Sequence, residues 1–243
     1  MTSSVDIRES MGVRTLHFGS DWIQGAMRVA RPYQLVLDYT KEMMLSLILA
    51  DQVYPQNILL VGLGSASIAK FLYRYAVNSN ITAVEIDERV ISCARQFFKC
   101  PQNDGRFTVV CADAFDWLKG NTDRYDLIVV DGFDANAQAG RLDSQPFYQL
   151  CHEHLNPQGI VTINLFNYRL RFQRSLSYLT HVFGEQWCYL PSGDQGNTIA
   201  FAGQGMGLSQ INWVQLKTKA ITLHQETGLN LTKLITRWQN THQ

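Results

Sequence analysis

The segment that decides the fold is 57–87, which reads NILLVGLGSASIAKFLYRYAVNSNITAVEID. An apolar run meets Gly62 and Gly64, a segment of helical character follows, and a second apolar run ends at Glu85. A buried parallel strand, a glycine turn, a helix and a strand tipped with an acid form the first half of a nucleotide-binding α/β sheet. Glycine lets the backbone approach the ligand closely, and the acid can accept from ribose hydroxyls. A two-glycine turn is also a common strand-to-helix connection, so the motif needs support from the rest of the chain.

The alternation of strand and helix continues along the chain. Apolar runs predict strands at 58–61, 81–85, 107–111, 126–130 and 159–165, and helices are predicted at 66–77, 87–98, 114–119, 144–154 and 170–183. After residue 184 the period changes, and strands at 187–190 and 198–202 are expected to form a closing antiparallel pair before a last helix at about 209–226. Such alternation implies a parallel sheet covered by helices on both faces. We therefore expect a doubly wound α/β protein with a mostly parallel, seven-stranded sheet.

Residues 1–50 differ in character from the rest. Residues 13–18 and 22–29 have the pattern of two short strands around a turn, and 39–50 has the apolar stripe of a helix. The sequence therefore predicts a short N-terminal β-hairpin region with a connecting helix over 1–50 and a Rossmann-like nucleoside-binding domain over 51–243.

Composition argues against several classes of partner. The 21 basic and 21 acidic residues balance, so no basic excess favours binding to nucleic acid, and only a local basic patch is left open. Apolar stretches are far shorter than the about 18 residues of a membrane span, and the N-terminus lacks the basic start and apolar core of a signal peptide. The five cysteines are scattered and never in CxxC spacing, as is typical of reduced thiols. We expect a cytoplasmic protein with no membrane partner.

Acidic residues follow several of the predicted strands. Glu85 and Asp87 follow the second strand and Asp113 the third; Asp131 follows the fourth, with Asp134 on the same loop. Ligands of open parallel sheets bind outside the carboxyl ends of the strands. Each acid has a structural alternative, since Asp87 and Asp113 can cap helices and Asp134 can be a turn residue. Clustered carboxylates repel each other, however, so their shared edge favours a binding site.

The order and spacing of these motifs resemble the spermidine synthase (polyamine aminopropyltransferase) family, which has the S-adenosylmethionine-dependent methyltransferase fold. The resemblance covers nearly the whole chain and implies a methyltransferase-like Rossmann fold. It rests on Gly62-Leu63-Gly64, Glu85-Ile86-Asp87, Asp113-Ala114, Asp131-Gly132-Phe133-Asp134, Phe147-Tyr148, Leu155-Asn156-Pro157-Gln158-Gly159, Pro191-Ser192-Gly193 and the early Ile23-Gln24.

The resemblance implies roles for individual residues. It assigns Gln24, Gly62, Gly64, Glu85, Asp87, Asp113 and Ala114 to donor binding, Asp131 to catalysis, and Asp134 and Tyr39 to amine binding. Glu85 would bind the ribose diol and Asp113 the adenine amino group. Asp131 would take or orient a proton of the amine, which attacks only when neutral. The implied reaction is aminopropyl transfer from decarboxylated S-adenosylmethionine to a diamine such as putrescine, without a metal. A homodimer is also implied.

The chain departs from the family pattern in two places. The family's glycine loop, G-G-G-D-G-G, here reads GLGSAS at 62–67 and lacks the acid. The family's amine-binding D-E…Y-H-E segment survives only as YTKE at 39–42, and Gly132 and Phe133 replace the serines of D-S-S-D. The nucleoside half of the site is therefore better kept than the amine half.

Two alternatives to aminopropyl transfer stay open. One is a methyltransferase that uses intact S-adenosylmethionine, and the other is a catalytically inactive relative that binds nucleosides. The intact donor carries a carboxylate that the clustered acids would repel, which favours the decarboxylated donor. Turnover with either donor would separate an enzyme from an inactive relative.

Three further features receive no chemical role. The histidines of CHEH at 151–154 point to different faces of a helix, which is a poor arrangement for metal ligands. Asp194 and Asn197 are expected on a loop near the sheet edge; contact with a ligand is the alternative there, and a turn role is favoured. The arginine run at 169–174 is expected to be the exposed face of a helix.

Overall fold

A computed structural model describes residues 5–19, 21–50, 54–132, 139–166, 169–191 and 196–241. Two predicted features lie outside these ranges, namely Asp134 and the segment 192–194 of the Pro-Ser-Gly turn. The other predicted site residues lie within them. In the described ranges, no helix combines the length and the apolar character needed to cross a membrane.

The N-terminal residues form a small antiparallel sheet. In the described part of this region the strands are β1 (Val5–Ser10), β2 (Val13–Phe18) and β3 (Gly25–Arg28), with β2 in the middle. The sequence predicts β2 and β3 but misses β1. This edge strand, VDIRES, lacks an apolar run, and half of its residues are exposed. Met11 and Gly12, both with positive φ, form the tight turn between β1 and β2.

The large sheet confirms the predicted fold class. Across the described residues it contains β4 (Asn57–Val61), β5 (Asn80–Glu85), β6 (Phe107–Cys111), β7 (Tyr125–Val130), β8 (Leu155–Phe166), β9 (Trp187–Leu190) and β10 (Asn197–Ala202). The order is β6-β5-β4-β7-β8-β10-β9. The strands from β6 to β8 run parallel, and β10 is antiparallel to both β8 and β9, as predicted for a closing pair.

Helices cover both faces of the large sheet, because its strands are apolar on both sides. In chain order they are α1 (Asp38–Met43), α2 (Ser46–Leu49), α3 (Ser67–Tyr75), α4 (Glu88–Phe97), α5 (Ala114–Lys119), α6 (Gln145–Glu153), α7 (Arg169–Phe183), α8 (Trp213–Thr227) and α9 (Thr232–Asn240). Short 3₁₀ turns occur at Gly140–Leu142 and Leu208–Gln210. Helices α1 to α4, α8 and α9 contribute to the core on one face, and α5 to α7 contribute to the other.

Two helix predictions need correction. The helix predicted over 39–50 is divided into α1 and α2, where the Ser46 hydroxyl donates to the Met43 carbonyl and competes with the helical pattern. Both short helices pack in the core of the large sheet. Helix α9, which the sequence analysis missed, closes that core with the fully buried Trp238. The division of the chain at residue 50 stays a prediction.

The strand order positions a binding crevice. Strands β5 and β6 lie on one side of β4, and β7 and β8 lie on the other, so the order reverses at β4. Ligands of open α/β sheets bind in the crevice at such a reversal, outside the carboxyl ends of the strands. The loop after β4 carries Gly62 and Gly64, and Glu85 and Asp131 stand at the ends of β5 and β7.

Candidate active site

A cavity of about 850 Å³ opens at this edge of the sheet, which is within the usual size range of small-molecule sites. Every predicted site residue that the structure describes lines it: Gln24, Tyr39, Gly62, Gly64, Glu85, Asp87, Asp113, Ala114 and Asp131. The structure therefore brings together residues from six separate segments of the sequence.

The glycine loop passes close to the backbone of the Asp131 loop. Gly62 has a φ of +92°, and a Cβ at this position would overlap the backbone carbonyl oxygen of Asp131. The two loops are fixed by strand-like hydrogen bonds, from Gly62 N–H to the Val84 carbonyl at 2.9 Å and from Asp131 N–H to the Val61 carbonyl at 2.8 Å. Only glycine fits here, both in conformation and in space.

Glu85 is a buried carboxylate with two structural contacts. Its Oε2 accepts from the backbone N–H of Leu63 at 2.9 Å, and its Oε1 accepts from the backbone N–H of Asp87 at 3.0 Å. An ionised carboxylate can accept about four hydrogen bonds. Glu85 thus shapes the glycine loop and still has acceptor capacity toward the cavity that it lines.

Asp87 and Asp113 cap helices, as the structural alternative expects, and also line the cavity. Asp87 accepts from the backbone N–H of Arg89 at 2.9 Å, and the Arg89 side chain lowers the pKa of this carboxyl group. Asp113 Oδ1 accepts from the backbone N–H groups of Phe115 and Asp116 at 2.8 and 3.2 Å. Capping and ligand binding are therefore compatible, because capping of α5 uses one oxygen of Asp113.

Arg141 is a cavity residue that the sequence analysis missed. Its guanidinium donates to both carboxylate oxygens of Asp116 at 2.9 and 3.0 Å and lies 3.4 Å from Asp113 Oδ2. It also stacks on Phe115, 4.1 Å from the ring centroid. Because Arg141 lies 25 residues after Asp116, no local pattern in the sequence indicates this contact.

Asp131 lies beside the glycine loop, next to neutral hydrogen-bond donors. The side-chain amide of Asn164 donates to Asp131 Oδ1 at 2.9 Å, and the Tyr39 hydroxyl donates to the same carboxylate. Burial raises the pKa of Asp131, and the two donors oppose that rise. Burial and the nearby Asp131 charge raise the pKa of Tyr39. A carboxylate with a raised pKa that faces a cavity is suited to accept a proton.

The N-terminal sheet forms a wall of the cavity. Gly25 packs so closely on Ser65 of the glycine loop that a Cβ would overlap its side chain, and the Ser67 hydroxyl donates to the Ala26 carbonyl at 2.9 Å. Trp22 and Ile23, which line the cavity, are 52% and 48% exposed. The wall therefore offers apolar surface beside the acids.

Two asparagines complete the surroundings of Asp131, and the sequence analysis did not assign either to the site. Asn164 lies on β8 and is 4% exposed. Asn197, which was expected in a turn, is the first residue of β10; it lines the cavity and donates to Asn164 Oδ1 at 2.9 Å. The turn prediction for Asn197 was wrong because the pairing of β10 with β8 begins at this residue.

The CHEH segment has structural contacts. Cys151 is fully buried, His152 packs edge-on against Phe183 with ring centroids 5.2 Å apart, and His154 Nδ1 lies 2.6 Å from the Asp123 carbonyl oxygen. A search of the described residues finds no group of three or more His, Cys, Asp or Glu side chains arranged to hold a metal ion.

Comparison with known proteins assigns the family. Residues 37–183 match the model of the spermine/spermidine synthase domain. The polyamine aminopropyltransferase of Chromobacterium violaceum is 34% identical over 240 residues, which cover 98% of this chain and 90% of the relative. The chain belongs to the spermine/spermidine synthase family.

Solved structures agree on the fold. A spermidine synthase in complex with the transition state analogue AdoDATO superposes with a TM-score of 0.70 at 18% identity, covering 96% of this chain and 84% of that chain. Human methyltransferase-like protein 13 in complex with SAH superposes with a TM-score of 0.70 at 25% identity, covering 79% of this chain and 93% of that chain. The methyltransferase-like fold predicted from the sequence is confirmed.

Proposed function

We propose that the protein is a spermidine synthase-like aminopropyltransferase, with decarboxylated S-adenosylmethionine as donor and a diamine such as putrescine as acceptor. The observation that carries the proposal is Asp131, a carboxylate held by Asn164 and Tyr39 at the end of β7, facing the cavity. Membership of the family and a polyamine aminopropyltransferase relative that is 34% identical over 98% of the chain support the reaction class.

The donor nucleoside would occupy the glycine-loop end of the cavity. Glu85 has free acceptor capacity for the ribose diol. Asp113 Oδ2 takes no part in capping α5; Arg141 lies 3.4 Å from it, and it keeps acceptor capacity for the adenine amino group beside the Ala114 backbone. Asp87 and the loop glycines, Gly62 and Gly64, would complete the donor site. Gln24 would reach the ligand from the N-terminal wall, whose half-exposed apolar residues can exclude water from the reacting atoms.

The reaction is a displacement at carbon. The neutral amine nitrogen attacks the aminopropyl carbon attached to the sulfonium sulfur, a C–N bond forms as that C–S bond breaks, and the bonding electron pair leaves with sulfur as methylthioadenosine. The new secondary ammonium then releases one proton, for which Asp131 is the acceptor. Its raised pKa brings it closer to the pKa of an amine than that of an exposed aspartate. Orientation of the two substrates supplies much of the remaining rate enhancement.

The charges around the cavity favour the decarboxylated donor. The charged residues that line it, within the described ranges, are Glu85, Asp87, Asp113, Asp131, Arg89 and Arg141. Both arginines are paired with carboxylates. Near Asp131, the described side chains supply amides and hydroxyls but no cation, so a donor carboxylate would have no partner there. Ser65 stands where the family has an acid, so we assign the donor ammonium to the remaining carboxylates.

Mass spectrometry of the products tests this proposal. The purified protein is incubated with the decarboxylated or the intact donor and with putrescine, cadaverine, diaminopropane or spermidine. We expect an aminopropylated amine and methylthioadenosine from the decarboxylated donor only. An Asp131→Asn variant is the control for enzyme-dependent product. Methylation of an acceptor by the intact donor, with no aminopropyl product, would refute the proposal in favour of a methyltransferase; no turnover with either donor would favour an inactive relative.

We also propose a cytoplasmic homodimer with no metal requirement. All five cysteines are free thiols, which supports a reducing compartment, and the resemblance to the family supports the dimer. Light scattering at several protein concentrations measures the mass, which is 27.6 kDa for one chain. A mass of one chain at all concentrations would contradict the dimer, and loss of turnover with a chelator would contradict metal-free catalysis.

A further inference from the structure

We propose that Asn197 is a positioning residue for Asp131, which it affects through Asn164. Asn197 fixes the direction of the Asn164 amide, and the amide in turn holds the Asp131 carboxylate ionised and oriented toward the amine. The kinetic part of the test below rests on the proposed function. The titration of Asp131 does not, so the two proposals can fail separately.

Three neighbouring strands carry the three residues. Asp131 comes one residue after Val130, which pairs with Ile163, so Asp131 lies beside Asn164 in the parallel pair of β7 and β8. Strand β10 continues the sheet on the other side of β8 and begins at Asn197. The Nδ2 of Asn197 donates to Asn164 Oδ1 at 2.9 Å, and the Nδ2 of Asn164 donates to Asp131 Oδ1 at 2.9 Å.

The direction of this chain of hydrogen bonds follows from the carboxylate. An ionised carboxylate only accepts, so Asn164 must present its NH₂ group to Asp131 and its oxygen to β10. A turned amide would set its oxygen against the carboxylate in a buried site, where an unpaired acceptor is costly. Because Asn197 donates to the oxygen of Asn164, it stabilises the productive orientation and disfavours the turned one. Asn164 is 4% exposed, so water offers little alternative.

The groups that face Asp131 come from several elements. Tyr39 from α1 contributes a hydroxyl, Asn164 from β8 contributes an amide, and the β4 loop contributes Gly62, which has no side chain. Burial raises the pKa of Asp131, and the two donors lower it. If the Asn164 amide were lost, Tyr39 would be the remaining donor among the described residues. The carboxyl group would then hold its proton to higher pH, and over that acid range it could not accept one from the amine.

Variants at 197 separate the lost donor from other changes. Asn197→Leu keeps the branching of the side chain at Cγ without a donor, and Asn197→Ala removes the donor without adding volume or charge. Thr162→Val is the matched control. Thr162 lies two residues before Asn164 on the same face of β8, and its buried hydroxyl has no hydrogen-bond partner in the described part of the chain. This control changes a buried polar group of the same strand without touching the proposed chain of hydrogen bonds.

The first readout is the titration of the Asp131 side chain by carbon-13 NMR, with the resonance identified by its loss in Asp131→Asn. We expect its pKa to rise in Asn197→Leu by about one unit, a tenfold change in the protonation equilibrium, and to stay unchanged in Thr162→Val.

The second readout is kinetic, with decarboxylated donor and putrescine. The acid limb of the pH profile of kcat should move to higher pH, while affinity for methylthioadenosine stays as in the wild type.

Coupling of the two asparagines is the decisive comparison. If Asn197 acts through Asn164, then Asn197→Leu adds nothing to the effect of Asn164→Leu on the Asp131 titration. Additive shifts, or a wild-type titration in a folded Asn197→Leu protein, would overturn the proposal. Asn197→Ala, which removes the donor without adding a charge, gives the same test if the leucine variant does not fold. A shifted titration without turnover of any amine would leave the positioning role standing and refute the proposed function.

Discussion

The backbone N–H of Leu63 donates to the side chain of Glu85 over 2.9 Å, so the acid of the second parallel strand holds the glycine loop of the first. The other oxygen of the same carboxylate accepts from the backbone of Asp87. Glu85 therefore fixes the shape of the glycine loop where it lines the cavity, and its substitution should affect both the proposed nucleoside binding and folding.

Glu85→Ala should weaken the binding of methylthioadenosine by about 1.5–3 kcal/mol, as expected for the loss of hydrogen bonds to a charged group. The variant should also be less stable, because two backbone N–H groups lose their acceptor. Calorimetric titration measures the affinity, and thermal unfolding measures the stability. Glu88→Ala is the control, since Glu88 is exposed and does not line the cavity. Unchanged affinity in a folded Glu85→Ala protein would contradict the assignment.

The three glycines at 62, 64 and 228 should respond differently to alanine. All have positive φ, so each substitution strains the backbone by about 1 kcal/mol or more. At Gly228 nothing lies within 4 Å of the new Cβ, at Gly64 the Gln24 carbonyl lies at 3.4 Å, and at Gly62 the Cβ meets the Asp131 backbone. We expect a rising loss of stability in that order, with loss of nucleoside binding at Gly62. Urea unfolding measures the free energy of unfolding of each variant. Equal losses would show that backbone strain, and not crowding of the added Cβ, determines the loss of stability.

The site residues at strand ends were predictable, because their positions follow from the apolar runs in the sequence. Glu85, Asp113 and Asp131 each follow an apolar run, and parallel strands place their carboxyl ends at one edge. Residues that belong to the site through contacts between distant segments were not predictable. Asn164 precedes the last two residues of β8 and belongs to the site because β8 is long. Arg141 depends on a contact with Asp116 across 25 residues.

Strand β1 and the break between α1 and α2 were missed for a related reason. Strand β1 has only two apolar residues, Val5 and Ile7, which pack against the small cluster of Leu16, Met27 and Phe98. Between α1 and α2 the backbone makes i→i−3 hydrogen bonds, such as that from Leu47 N–H to the Met44 carbonyl at 3.1 Å, and the Ser46 hydroxyl donates to the Met43 carbonyl. In both places contacts of a few residues accompany a structure that departs from the surrounding pattern. Hydrophobic periodicity cannot report such contacts.

Asp131→Asn should make the protein more stable at neutral pH. Burial raises the pKa of Asp131 above its ordinary 3.8, so ionisation is disfavoured in the folded state. The ionised carboxylate therefore destabilises the folded protein. This effect is fully present above the pKa that Asp131 has in the folded protein, and it disappears as pH falls to 3.8 or below. The excess stability of Asp131→Asn should therefore be largest near pH 7 and shrink toward acid. Urea unfolding of both proteins at several pH values measures it; a constant difference would contradict the effect.

Lys70 should make stability depend on pH in the alkaline range. Its side chain is fully buried, its Nζ donates to the Phe98 carbonyl at 2.7 Å, and burial lowers its pKa from 10.5 to about 7. The unfolded chain then binds more protons than the folded one between those two values, so stability should rise with pH across this window. In Lys70→Met, the free energy of unfolding should no longer rise with pH across this window. Urea unfolding at pH 7 and pH 9 measures it, and parallel behaviour of the two proteins would contradict a neutral buried amine.

Asp131 and Asp134 should differ in their kinetic roles. Asp131 is assigned to the attacking nitrogen, so Asp131→Asn should lower kcat by about 10²–10⁴, the usual contribution of a general base. Asp134 lies outside the described residues, and its proposed role is to bind the distal ammonium of the amine. Asp134→Asn should therefore mainly raise KM for the amine. Initial rates with decarboxylated donor and putrescine separate the two parameters.

The pH dependence of the same rates tests the assignment of Asp131 further. Only the neutral amine attacks, so kcat/KM for putrescine should rise with pH in the wild type. If Asp131 accepts the proton, the profile should also have an acid limb that is missing in Asp131→Asn, because the amide cannot titrate. Retention of methylthioadenosine affinity in this variant shows that the donor site is intact. An identical profile in both proteins, or an equal loss of kcat in Asp134→Asn, would assign the catalytic role elsewhere.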